Sequence, residues 1–211
     1  IFSMPPTQVS VDAGNYVEFT PISSIVDSSS IEFNVLGAGS EYLDLSNSLL
    51  CVKAAITKED GTAIEAASHV GPVNLFLHSL FSQVDIMLND VQITSSNHCY
   101  AYRAFLETLL SYGEDAKASQ LQASLFYKDE GNVEATNPRA DPVTNKGFKN
   151  RAEPTLDGPV QMIGRLHSDI FFQNRYLLND VTMRVRLIRS KDAFSLMFDG
   201  ANYKTKILEA K

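Results

Sequence analysis

With 211 residues, 44% of them apolar and 20% charged, the chain has the make-up of a folded globular protein. It is long enough to bury roughly 70% of its extended surface, which excludes a disordered chain or one that needs covalent staples. A formal charge of −7 excludes a surface built to neutralise phosphates, so no direct nucleic-acid contact is expected, and no run approaches the roughly 20 apolar residues that span a bilayer.

The opening, residues 1–21, sets Pro5, Pro6, Gly14 and Pro21 among polar residues, which predicts an extended arm that runs over a surface and touches a neighbour. Ile31, Phe33 and Val35 then alternate with Glu32 and Asn34, the pattern of a half-buried strand, until Gly37-Ala38-Gly39-Ser40 breaks it. Residues 43–57, with Leu49, Leu50, Val52, Ala54 and Ile56, predict a long strand ending at the Asp60-Gly61 turn. After Gly71-Pro72, residues 73–80 predict one or two helical turns. Residues 84–88 and 91–93 flank Asn89-Asp90, a pair that tolerates the left-handed backbone of a two-residue hairpin.

One firm helix is predicted near residues 98–112, because Tyr102, Phe105, Leu106, Leu109 and Leu110 fall on one face and read as its core side. Ser95, Ser96 or Asn97 would cap its start and Gly113 its end. Residues 114–126 predict a weaker second helix, with Leu121, Leu125 and Phe126 on one side. Residues 128–159 are polar and rich in Pro and Gly, an excursion loop with at most one helical turn, so the whole span 95–159 is an excursion between strands. Strands return at 160–166, 182–188 and 203–208. Leu88-Asn89-Asp90-Val91 recurs as Leu178-Asn179-Asp180-Val181, the same turn chemistry used twice. Short strands, long excursions and one firm helix predict an all-β jelly-roll β-sandwich with helical insertions.

The search for chemistry yields no catalytic, cofactor-binding or metal residues. His69, His78, His98 and His167 contain no pair at metal-ligand spacing, and His167 with Asp169 reads as a surface hydrogen bond. Gly37 and Gly39 lack the third glycine and the helix of a dinucleotide loop. Cys51 and Cys99 read as two buried thiols in a reducing compartment, with a single bridge between them as the alternative. Arg184, Arg186 and Arg189 read as a solvated strand face rather than a phosphate track. Tyr42, Tyr127, Tyr176 and Tyr203 would serve a glycan-binding or attachment module, the alternative reading, although with no Trp in the chain most aromatics read as core. Neither an enzyme nor a cofactor is expected.

Four segments stand in a telling order and spacing: Pro5-Pro6-Thr7-Gln8, then Ile31-Glu32-Phe33 leading to Tyr42-Leu43-Asp44-Leu45, then the hairpin at 84–93 with its helix, and Arg175-Tyr176-Leu177-Leu178-Asn179-Asp180-Val181 continuing to Ser190-Lys191-Asp192. Together they resemble the N-terminal jelly roll of the F54H12.2-like family of Polinton (Maverick) and adintovirus double-jelly-roll major capsid proteins. The resemblance implies that residues 1–211 form a single jelly-roll domain, the first half of a longer chain. It further implies homotrimeric pseudo-hexagonal capsomers that meet neighbouring capsomers, with penton or other minor capsid proteins as further partners. Such a protein would assemble in the host cell and reside in the virion. The start without Met and an end inside a strand lead to the same expectation of a longer polypeptide. The arm at 1–21 and the stretch 128–159 are the expected contact regions.

Overall fold

The computed structural model describes residue 11 and residues 13–26, 28–37, 41–65, 67–200 and 202–211. Residues 1–10 of the expected arm, which include Pro5-Pro6-Thr7-Gln8, and residues 38–40 of the expected break lie outside them. Residues 13–21 carry no regular secondary structure and are mostly exposed.

Alternating apolar residues fold as strands because a pleated strand turns successive side chains to opposite faces. The described strands are β1 (Ser30–Val35), β2 (Leu50–Lys58), β3 (Val70–Pro72), β4 (Phe81–Leu88), β5 (Val91–Gln92), β6 (Val160–Gly164), β7 (Met183–Arg189), β8 (Leu196–Phe198) and β9 (Tyr203–Ala210). The helices between them are α1 (Phe76–Ser79), α2 (Tyr100–Ser111), α3 (Glu114–Lys117), α4 (Lys146–Leu156) and α5 (Asp192–Ser195).

One sheet runs β1-β7-β4-β5, a second runs β6-β2-β9, and β3 pairs with β8. Every pairing is antiparallel. Apart from the β3–β8 pair, the chain passes from β1 in the first sheet to β2 in the second, returns for the β4–β5 hairpin, crosses to β6, back to β7 and over again to β9. Repeated crossing between two antiparallel sheets is the winding of a jelly roll, so the expected fold class holds.

Register places the apolar residues in facing rows. Ile31, Phe33 and Val35 lie opposite Leu187, Val185 and Met183, which in turn face Val84, Ile86 and Leu88. In the other sheet Val52 faces Met162 and Ala54 faces Ile207. All but the half-buried Leu88 are fully buried in one cluster that draws on both sheets, each contributing about 1.5–3 kcal/mol when large and fully buried. β9 loses its alternation at Leu208 and Glu209, which are both exposed. The register with β2 shifts there, between Lys53 and Ala54, and this bulge returns Ala210 to the core.

The hairpin forms as its residues predict, with Asn89 at φ 46° and Asp90 at φ 64°; Asp180, in the echoed sequence, also lies at φ 60°. Several expectations are corrected. The strand predicted from residue 43 begins at Leu50, because the Asp44 side chain caps a 3-10 turn at Leu45–Asn47. The second helix is only α3 followed by a 3-10 turn at Gln120–Ser124. Cys51 is half-buried and Cys99 exposed, and both are free. The β3–β8 pair and α5 carry too few residues to show a period.

The largest departure is in 128–159, where three turns of helix replace the expected loop. Asn145, itself buried, accepts from the Phe148 N–H at 3.0 Å and starts α4. The helix lies on β3, where Gly71 leaves room: a Cβ there would sit 2.7 Å from Ala152 and Phe148. Arg151 is wholly buried, donating to the Pro72 carbonyl at 2.9 Å and pairing with Asp129 at 2.6 Å. A buried guanidinium requires such partners. Asp129→Ala, which strands this charge, is expected to cost about 3–5 kcal/mol in urea unfolding, while Asp129→Leu combined with Arg151→Met recovers most of it.

Candidate assembly surface

The hairpin leads into α2, and the described surface is shaped by how that helix docks. The side it buries is made of small residues and one anchor: Tyr100, Ala101, Ala104 and Thr108. Small side chains let the backbone approach β4, whose outward residues Gln83 and Asp85 become buried beneath the chain. The Asp85 carboxylate accepts there from Gln83 at 2.8 Å, Gln92 at 3.1 Å and the Ser96 hydroxyl at 3.1 Å, which offsets its desolvation. None of the expected caps Ser95, Ser96 and Asn97 sits at the N-cap of α2, which is Cys99 with no side-chain cap bond; Asn97 accepts from the Cys99 N–H at 3.2 Å.

The large apolar face therefore points outward, reversing the sequence expectation. Tyr102 is 61% exposed, Leu106 56% and Leu110 85%, with Leu109 exposed beside them. Phe105 is half-buried against Leu75, Ala104 and Phe126. Tyr102 meets the Phe194 ring edge-on at 5.5 Å. Between them opens an apolar cleft of about 150 Å³ walled by Leu75, Ala101, Tyr102, Phe105 and Phe194. An apolar stripe at i, i+4 and i+8 beside an apolar cleft is the make-up of a surface that another chain covers.

A polar network holds the third side of α2. Arg103 bridges Glu107 at 2.7 Å and also binds Asp169, and Glu107 accepts from His167 Nδ1 at 2.8 Å. The Tyr100 hydroxyl accepts from the His167 N–H at 3.3 Å and lies 3.0 Å from His78 Nδ1. The hydroxyl and His78 Nδ1 share a hydrogen bond whose direction follows the imidazole tautomer. The two imidazoles meet edge to face at 4.7 Å between centroids. Burial pushes His78 well below its usual range, and the neighbouring His167 adds to this. Burial also lowers His167, opposed by its bond to Glu107.

His167 and Asp169, expected to bond each other at the surface, thus have separate partners. That His78 and His167 meet could not be read from their separation in sequence. Among the described residues no three His, Cys, Asp or Glu side chains are grouped to hold a metal, and no helix is long and apolar enough to cross a membrane. Arg184 and Arg186 lie half-exposed beside Asp90 and Glu32, whereas Arg189 reaches Thr205 of the other sheet. Tyr203 is core and Tyr127 half-buried, but Tyr42 and Tyr176 are exposed on segments joined by the Leu43–Leu177 bridge.

No family model matches the chain. It is 26% identical over 199 residues to the uncharacterised protein F54H12.2 of Caenorhabditis elegans, an alignment covering 90% of this chain and 45% of that one. The chain thus spans less than half the length of this curated relative. A crystal structure of mavirus major capsid protein overlaps all of this chain and 50% of its own at TM-score 0.38 and 15% identity. An overlap of that quality does not establish a common fold, and the jelly-roll assignment rests on the strand order.

The docking of α2 predicts opposite sensitivities on its two sides. Leu110→Lys is expected to change the unfolding free energy by less than about 0.5 kcal/mol, whereas Ala104→Leu, which overfills the contact with Leu75 and Phe126, costs about 1–3 kcal/mol by thermal denaturation.

Proposed function

We propose that the chain is a structural jelly-roll unit of a capsid-type protein, whose work is self-assembly rather than turnover. The observation that carries this reading is the outward apolar stripe of α2 beside its cleft, mounted on a rigid two-sheet brick. Two further features support it. The four segments that resemble Polinton and adintovirus capsid proteins include the hairpin that delivers α2, and the F54H12.2 relative is more than twice this chain's length, room for a second roll in tandem. In the full reading, two tandem rolls per chain form homotrimeric pseudo-hexagonal capsomers, and these close an icosahedral shell in the virion with penton or minor capsid proteins at special positions. The arm at 1–21 and the anchored stretch 128–159 are further contact regions.

The physics of such assembly is repetition. A closed symmetric array uses the same patch many times, so one contact of modest strength per copy suffices. A net charge of −7 fits a shell that encloses nucleic acid without gripping it. The exposed pair Tyr42 and Tyr176 favours a second reading, a glycan-binding module, in which sugar binding is saturable and lost in Tyr176→Ala.

Sedimentation of the chain over a range of concentrations tests the first reading. Reversible self-association is expected, and Leu106→Asp with Leu110→Asp should weaken it at least tenfold, about 1.4 kcal/mol, with no change in thermal midpoint. A strict monomer at the highest concentrations would overturn it.

A further inference from the structure

The surface on α2 exists only while α2 stays docked, and that docking runs through two buried histidines. His78, on α1, is 2% exposed and His167, beyond β6, 6% exposed. The titratable and charged groups around the pair come from every element packed there: Tyr100, Arg103 and Glu107 of α2, and Arg165 and Asp169 beside His167. Among the described residues, Glu107 offers a carboxylate directly, and it does so to His167.

His78 is badly placed to hold a second proton. Its Nδ1 shares a hydrogen bond with the Tyr100 hydroxyl, which accepts from the His167 N–H. Once protonated, both its ring nitrogens are donors, and the carboxylate of Glu107 bonds His167 instead. On its far side, Nε2 lies close over Gly164, where a Cβ would come within 3.3 Å of it. With His167 4.7 Å away, two imidazolium rings would also repel across a contact that excludes water.

We propose that the His78–His167 pair is an acid-sensitive latch on α2: below about pH 6 the pair takes up protons and releases α2 from α1 and residues 165–172. Leu75 and Phe105 then separate, the cleft opens and the apolar stripe loses its fixed position. The latch is a property of the single chain; its consequence, acid release of assembled copies, rests on the self-association reading.

Both imidazoles lie below their ordinary range while α2 is docked, so the undocked chain binds more protons. Docking is therefore at full strength above about pH 6.5 and weakens as pH falls below it, about tenfold per pH unit for each histidine held neutral.

Hydrogen exchange read by mass spectrometry, on dilute monomeric chain at pH 7.5 and pH 5.0 and corrected for the intrinsic pH dependence of exchange, tests the latch. Protection of residues 100–111 is expected to fall at least tenfold in acid while β4 and β7 keep theirs. His78→Gln with His167→Gln, which cannot titrate, should abolish the difference while retaining His69 and His98. Acid loss shared equally by α2 and the strands, or the same α2-specific loss in the double variant, overturns the latch. Should that variant not fold, titration of the wild-type imidazoles by NMR decides. The latch requires His78 and His167 to protonate together with the loss of α2 protection, and protonation with α2 still protected overturns it. A chain that opens at α2 in acid yet never associates at pH 7.5 upholds the latch and overturns the assembly reading. A chain that associates but shows no α2-specific opening overturns the latch alone.

Discussion

The structure depends on a geometric constraint: two antiparallel sheets share one dry core, so each long strand presents every second residue to it. Ile31, Val185, Ile86, Val52, Met162 and Ile207 meet that demand, and the β9 bulge keeps it where strict alternation would have turned Ala210 outward. A slip of one residue in any long strand would exchange its apolar and polar faces. Strand order follows from satisfying this rule in all the strands together, and the jelly roll is the winding that does so here.

Whatever cannot alternate is placed outside the core, where the chain has to bury polar groups. It does so in small closed networks. Arg151 draws Asp129 and the Pro72 carbonyl around α4, Asn145 fastens the same loop by capping that helix, and Asp85 gathers Gln83, Gln92 and Ser96 beneath the chain leading to α2. Such networks tolerate little displacement, because each lost partner leaves a buried polar group unsatisfied. They turn a span that reads as loose loop into a fixed part of the molecule, and a fixed part can present a surface.

The same economy accounts for α2. Its small side gains close approach to β4 and its polar side gains the Arg103, Glu107 and His167 chain, which leaves the leucines for the outside. Burying the leucine face within this chain would have cost both. The apolar stripe left outside is the surface that the proposed self-association would cover. Function in this view is a consequence of what intramolecular packing could not use.

How much of this was legible in the sequence varies with the range of the interaction. Alternation in residues 31–35 and 182–188, the Asn89-Asp90 hairpin and the existence of α2 follow from neighbours a few residues apart, and the sandwich class follows from them. The length of α4 was hidden because its helix-forming signals are weak, with Gly147 and Pro154 inside it, and its stability comes from Asn145, Gly71 and Arg151 brought together. The orientation of α2 was misread for a related reason: hydrophobic periodicity identifies the apolar side of a helix but not the partner that covers it. The sequence by itself determined the strands, the turns and the all-β class, since these depend on local periodicity and backbone preference. Only the tertiary structure decided which face of α2 meets solvent and that His78 lies against His167, because those outcomes depend on contacts between residues far apart in the chain.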